Sequence, residues 1–339
     1  VGNRCGLVLM HPLSCCGQAI EIEHTDGRRS LSTFPQTIAP WPPFTLIRSI
    51  SHQVNPGTWA CAKLIGDDFE LEDQRNNFDA SFKTYSRSNQ APRPYVIHAG
   101  TVIEQTMMLS LKNDQGHHAS LPSIAAEPCP ARVQLEAQAL SMPLLGVGLR
   151  ASDTHLISDL LPHGLALKCR HWHLVLNHPE EEVNWNQVAQ LCRATQASLR
   201  IDVGGIPHAG ESNWFEELAL RLQHEDLLPE SIGVLSDDPL IFEQARHAFP
   251  CSRIGVGTPH FFVQLNRMKG LPKADFSTFT TSSLVHGADD DHIMLGLQST
   301  PGIFETLQHT HAAQAMRVGP SFIAARRSPL GEQPATDGS

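Results

Sequence analysis

The sequence predicts an α/β protein in which an N-terminal all-β, sandwich-like domain is followed by an incomplete (β/α)8 barrel of the TIM type. Three observations carry this. Residues 1 to about 112 hold short alternating apolar and polar runs, punctuated by Asn, Gly, Pro and Asp and with little helical periodicity. From about residue 143 the chain becomes a regular succession of short apolar strands and amphipathic helices, and each parallel crossover needs such a helix. The length, 339 residues, exceeds one ordinary core and suits two domains. The expected divisions are a β-rich domain at 1–112, a polar, Pro-containing linker or crossing segment at 113–142, a barrel lacking its last unit at 143–325, and a disordered tail at 326–339.

In the first domain the clearest strands are TWACAKLIG at 58–66, FELED at 69–73, ASFKTYS at 80–86 and TVIEQTMMLSL at 101–111. The barrel opens with LLGVGL at 144–149 and a helix from Ser152 as N-cap to about Leu161. HWHLVLN at 171–177 is the next strand, and the helix at 183–196 places Val188, Leu191, Cys192 and Thr195 on one face. LRIDVGG at 199–205 precedes a helix that opens at Asn213, with Glu216 three residues on in capping-box spacing. IGVLSDD at 232–238 leads into Asp238–Pro239, an N-cap followed by Pro at the first helical position. Arg253 to Gly257 and then Thr258–Pro259 repeat that grammar, and strands at 275–283 and 317–323 complete a series of seven. The last residues, RRSPLGEQPATDGS, have tail composition, so the barrel is expected to be open between its first and seventh strands.

Composition narrows the function. Acidic residues outnumber basic ones 35 to 25, for a net charge of −10, which excludes a nucleic-acid partner. No apolar run reaches the roughly 18 residues of a membrane span. The N-terminal GLVLM is too short for a signal peptide and is interrupted by His11 and Pro12, while a start at Val reads as a fragment or a processed chain. The eight cysteines, at 5, 15, 16, 61, 129, 169, 192 and 251, form no Cys-x-x-Cys pair and fit a reducing cytoplasm. Adjacent Cys15 and Cys16 are poorly placed to chelate alone and read as structural thiols; no metal or cofactor is expected. No Gly-x-Ser-x-Gly elbow, phosphate-binding Gly-rich loop or His-Glu-x-x-His helix occurs, which removes the serine hydrolase, P-loop and zincin classes.

The densest chemistry lies in FELEDQRNNFDASFKTY at 69–85. Phe69 and Leu71 alternate with Glu70 and Glu72, and Ala80 and Phe82 with Asp79, Ser81 and Lys83, with QRNN as the turn. Composition alone reads this as a hairpin with a solvated charged face. The stretch, however, resembles the signature of the D-apionate lactonase family. The likeness extends to HPLSCCGQAIEIEHTDG at 11–27, FPQTIAPWPPFTLIRSISHQV at 34–54, VGTPHFFVQLNR at 256–267, FSTFTTSSLVHGADD at 276–290 and MRVGPSFIAARRSPLG at 316–331. Asn77 and Phe78 stand where that family tends to have Trp and Thr, and Leu295 where it tends to have Glu. The resemblance implies a hydrolase of sugar-acid lactones built from a β domain, a TIM-type barrel and a further β domain, of which this chain covers only part.

Opening a lactone needs a base for water, a donor for the carbonyl oxygen and an acid for the departing ring oxygen. Glu72, Asp79, Lys83, His286 and Asp289 are the candidate catalytic residues. Asp73, Arg75, Asn177, His260, Asn266 and Arg267 are the candidates for holding a polyhydroxylated sugar lactone. In a barrel, residues just past the strand ends are the ones to weigh, which adds His178, Asp202, His208, Asp237 and Asp238. Competing structural readings make Asp238 an N-cap, make Asp290 or Asp291 the cap of a helix at 292–297, and put Arg267 on carbonyls at a helix end. His171 and His173 share a strand face but lack an evident third ligand, so they read as barrel filling. Two other functions stay open: a glycoside hydrolase with a carboxylate pair, and a non-catalytic carbohydrate-binding or degenerate homologue.

Overall fold

The computed structural model describes residues 5–89, 91–92, 94–113, 141–207, 213–282, 284–285, 287, 289–310 and 315–322. The chain divides into two compact units, one of Val1–Gln36, Pro42–Asp73 and Ser81–Pro143, the other of Thr37–Trp41, Gln74–Ala80 and Leu144–Ser339. Two short pieces of the first hundred residues thus belong to the second unit. Among the described residues, no helix is long and apolar enough to cross a membrane.

The first unit contains β1 (Val8–Pro12), β2 (Ala19–His24), β3 (Arg29–Thr33), β4 (Phe44–Asn55), β5 (Thr58–Ile65), β6 (Phe69–Asp73), β7 (Ser81–Ser86) and β8 (Thr106–Asn113). They form one sheet in the order β1-β7-β6-β4-β2-β3, with β5 on β4 and β8 on β5. Every ladder is antiparallel. β4 exchanges partners along its length, from β6 near its start to β5 over the remainder. The exchange coincides with a bulge between Phe44 and Ile47, where Leu46 has a φ of 54°. Alternate residues, among them Ile20, Ile22, Ile50, Leu64, Phe69, Leu71 and Phe82, meet in one core with Phe34.

The second unit runs β9 (Gly146–Arg150), α1 (Ile157–Leu167), β10 (His171–Leu176), α2 (Trp185–Thr195), β11 (Ser198–Val203), α3 (Trp214–His224), β12 (Ser231–Val234) and α4 (Pro239–Ala248). It continues with β13 (Arg253–Phe261), α5 (Phe262–Arg267), β14 (Phe276–Ser282), α6 (Asp290–Gly296), α7 (Thr300–Thr310) and β15 (Met316–Phe322). Its seven strands are parallel and lie in chain order, as a TIM-type barrel requires. Among the described residues no ladder joins β9 to β15, yet a Cβ built on Gly148 would stand 3.4 Å from Pro320 Cβ, so the sheet nearly closes.

Strand alternation decides what fills the barrel. Trp172, Leu174, Leu176, Leu199, Ile201, Val203, Ile232, Val234, Ile254 and Val256 pack in the core shared with α2, α3 and α4. The residues between them, His171, His173, Arg200, Asp202, Ser231 and Gly233, therefore face the interior. This polar lining differs from the branched aliphatic layers usual in such barrels.

Three local expectations change. The helix expected from Ser152 begins only at Ile157, after a 3-10 turn at Ala151–His155. There the Asp153 carboxylate accepts from Arg150 N and Thr154 Oγ1 donates to Ala151 O, which tightens the chain before the helix can start. Thr258–Pro259 opens no helix; β13 runs on to Phe261. Pro259 falls where the ladder with β14 shifts register between Gly257 and Phe261, a bulge that asks no N–H of it. The cap of α6 is Asp289, rather than Asp290 or Asp291, because its side chain reaches the N–H of His292.

Candidate active site

Inside the barrel, His173 Nε2 donates to Asp202 Oδ2 at 2.9 Å, and Thr278 Oγ1 donates to the same oxygen at 3.3 Å. The pair joins adjacent strands β10 and β11, with Thr278 on β14. Asp202 fits because β12 carries glycine opposite it: a Cβ at Gly233 would overlap the carboxylate. With Asp202 accepting from Nε2–H, the lone pair of the imidazole lies at Nδ1. That nitrogen stands 4.0 Å from where a Cβ on Gly319 would be. The side chains are 14% and 6% exposed, so the imidazole meets water while its carboxylate partner is shielded. A histidine oriented by a buried carboxylate has the arrangement of a general base.

Nearer the N-terminal ends of the strands lies a charged layer. Arg200 holds Glu230 through two bonds, Nε to Oε2 at 3.2 Å and Nη2 to Oε1 at 3.0 Å, and Ser198 Oγ donates to Oε2 at 2.5 Å. Arg317 adds an ion pair at 3.6 Å, donates to Ser231 Oγ, and lies 3.7 Å over the Phe276 ring. Burial pushes the Glu230 carboxyl up, but the bonds from Arg200 and Ser198 and the two guanidinium charges outweigh it and hold the group near about 2. His171 Nε2 accepts from Arg200 Nη1 at 3.3 Å. Burial first, then Arg200 and His173, lower its pKa to about 4, so the ring is neutral at pH 7. Among the described residues no group of three or more His, Cys, Asp or Glu is placed to hold a metal ion.

The charged hairpin is not solvated, contrary to the reading from composition. Glu70, Asp73, Arg75 and Lys83 are 0%, 4%, 2% and 8% exposed. Lys83 pairs with Glu72 in the β6–β7 ladder. Glu70 accepts from Ser88 Oγ at 2.8 Å and Asn89 N at 2.7 Å, and Glu72 accepts from Asn89 Nδ2. The strands belong to the first unit and the turn, with Arg75 and Asp79, to the second. In that turn Asp79 N donates to Gln74 O.

The second unit also collects other predicted residues. Asn177 follows β10 and donates its N–H to Glu181 Oε1. His260 lies near the end of β13, its N–H donating to Thr258 Oγ1. Asn266 is buried, with Nδ2 donating to both Ile38 O at 3.1 Å and Asn76 Oδ1 at 2.9 Å. Arg267 donates through Nε to Pro40 O and lies over the Trp41 ring. Asp289 pairs with His292 at 2.6 Å, both exposed. His286 and His208 lie outside the described residues.

Two family models cover this architecture: that of the D-apionate lactonase N-terminal domain matches residues 1–114, and that of the D-apionate lactonase TIM barrel domain matches residues 145–339. The chain belongs to the D-apionate lactonase family. The D-apionate lactonase of Brucella anthropi is 30% identical to it over 362 aligned positions. The alignment takes in 98% of this chain and 57% of that protein, so the chain spans little more than half the length of this curated relative. In this member of the D-apionate lactonase family, His173, Asp202, Asn266 and Arg267 all fall within the barrel-domain match. The His173–Asp202 pairing is what sequence reasoning missed. The signal was available, since LRIDV places Arg200 and Asp202 on one strand face just as HWH places its two histidines.

Proposed function

We propose that the protein hydrolyses a sugar-acid lactone, of the D-apionolactone type, at the polar interior and C-terminal mouth of its barrel. The observation that carries this reading is the His173–Asp202 pair, a base with its orienting carboxylate inside the barrel of a D-apionate lactonase relative. His173 Nδ1 takes a proton from water as the water oxygen adds to the lactone carbonyl carbon, and Asp202 stabilises the imidazolium. The carbonyl oxygen gathers negative charge, for which Arg75 in the Gln74–Ala80 turn is the proposed partner. Collapse breaks the bond from that carbon to the ring oxygen, and the proton on His173 passes to the departing oxygen, giving the hydroxy acid. Asp79, Asn177 and His260 are assigned to the sugar hydroxyls. Glu72, Asp73 and Lys83 lie on β6 and β7 in the first unit.

The test is to assay the purified protein on aldonolactones and aryl glycosides in parallel. Lactone opening without glycoside cleavage is expected. The His173→Ala and Asp202→Asn variants should keep their circular dichroism spectra and lose roughly 10² to 10⁴ in kcat, the contribution of a positioned general base. Glycoside cleavage by the wild type, or unchanged lactone turnover in both variants, would overturn the reading.

A further inference from the structure

The geometry points to Asn266 as a positioning residue that holds the turn Gln74–Ala80 at the C-terminal rim of the barrel and so sets Arg75 and Asp79 for the reaction. This rests on the reading proposed above, in which those two residues meet the lactone. Asn266 lies in the last turn of α5, which begins directly after the last residue of β13, so it lies at the end of the barrel where strands terminate. Its amide nitrogen has two hydrogens, and both are engaged, one by Ile38 O and one by Asn76 Oδ1. The side chain is 8% exposed and has no donor left for a substrate. Asn76, 5% exposed, passes the link on by donating through Nδ2 to Ala39 O at 2.5 Å. One asparagine thus ties two segments, far apart in sequence, to a single helix end, and Thr306 Oγ1 on α7 accepts from Ile38 N at 2.9 Å to fix the first segment again.

Phe78 shows independently that the turn is held in one conformation. It has a φ of 56°, which a bulky side chain adopts at a cost unless packing enforces it. Its ring packs 6.4 Å from both Phe261, the last residue of β13, and Phe279 of β14. Its carbonyl oxygen lies where a Cβ at Gly296 would approach to 2.6 Å. Packing of Phe78 therefore fixes one side of the turn and the Asn266–Asn76 bond the other, with Arg75 directly before the Asn76 anchor and Asp79 directly after the Phe78 anchor. A buried amide pair hydrogen-bonded in this way favours one arrangement over nearby alternatives.

The test is a mutant cycle on lactone hydrolysis by the purified protein. Asn266→Ala should lower kcat/KM by roughly 10², the effect of misplacing a reacting group by about 1 Å, with most of the loss in kcat. In an Arg75→Ala, Asp79→Asn background the same change should add less than about threefold, because both groups it positions are already disabled. A full multiplicative loss in that background, or wild-type turnover in the single variant, overturns the inference. If Asn266→Ala does not fold, Asn76→Ala breaks the same bond from the turn side and is judged by the same criteria. If the wild type opens no lactone, the functional reading falls by itself and trypsin decides the tie. Cleavage after Arg75 in Asn266→Ala but not in wild type supports it; equal resistance of both overturns it.

Discussion

At the scale of single residues, the candidate site depends as much on what is missing as on what is present. Asp202 occupies the space that a side chain on Gly233 would need, so a Gly233→Ala substitution forces the carboxylate away from His173. Overpacking of this kind costs about 1–3 kcal/mol. We expect Gly233→Ala to lower the melting temperature and to depress kcat more than KM, measured by thermal unfolding and lactone kinetics; a variant with wild-type kcat would show that the dyad geometry is not needed. The sequence put His173 on a strand face and Asp202 among the residues at a strand end, but pairing them needed the register. In the β10–β11 ladder His173 sits opposite Arg200, and its carboxylate partner is two residues further on. Strand alternation gives a face and not a stagger, which is why His173 read as barrel filling.

At the scale of elements, the punctuation of the chain was the most legible feature. Asp238 before Pro239 caps α4 as expected, its Oδ1 accepting from Leu240 N at 2.9 Å. Asp238→Ala should therefore destabilise the protein by about 1 kcal/mol in denaturant unfolding without affecting lactone turnover. A larger loss of turnover than of stability would instead place Asp238 in the chemistry. The same grammar misled at Thr258–Pro259, because a proline is as well accommodated at a bulge as at the first turn of a helix, and only the partner strand distinguishes the two. The hairpin posed a related problem. Its alternation of Phe69, Leu71 and Phe82 with charged residues was visible in the sequence, but which face would be covered was not. Glu70 is covered by the segment carrying Ser88 and Asn89, which follows the hairpin and whose approach the alternation does not reveal.

At the scale of the whole molecule, buried histidines in both units give stability a common dependence on pH. In the β unit, His11 Nδ1 meets His52 Nε2 at 3.3 Å and its Nε2 bonds Thr84 Oγ1 at 2.9 Å, while Cys15 Sγ lies 3.7 Å from His52 Nδ1. Burial, then the neighbouring His52, lowers His11 to about 3, and burial lowers His52 as well. In the barrel unit, burial and Arg200 lower His171 to about 4. Each folded-state value lies below that of an unfolded histidine, about 6.5, so the unfolded chain binds protons first as pH falls. Their contribution is complete above about 6.5 and is lost progressively towards about 4 and then about 3. Glu230 acts lower, because its depressed carboxyl keeps its contribution above the ordinary value of 4.5 and loses it on the way to about 2. Melting temperature should thus fall between pH 6.5 and pH 4.5, before the Glu230 ion pairs are touched. Replacing His11 with Gln, which cannot take up the proton, should flatten that fall for the β unit, followed by hydrogen exchange in β1, β4 and β7. His171→Gln should do the same for β10 and β11. If both variants keep the full wild-type slope between pH 6.5 and pH 4.5, the acid sensitivity arises elsewhere and these rings do not enter the folded state as neutral groups.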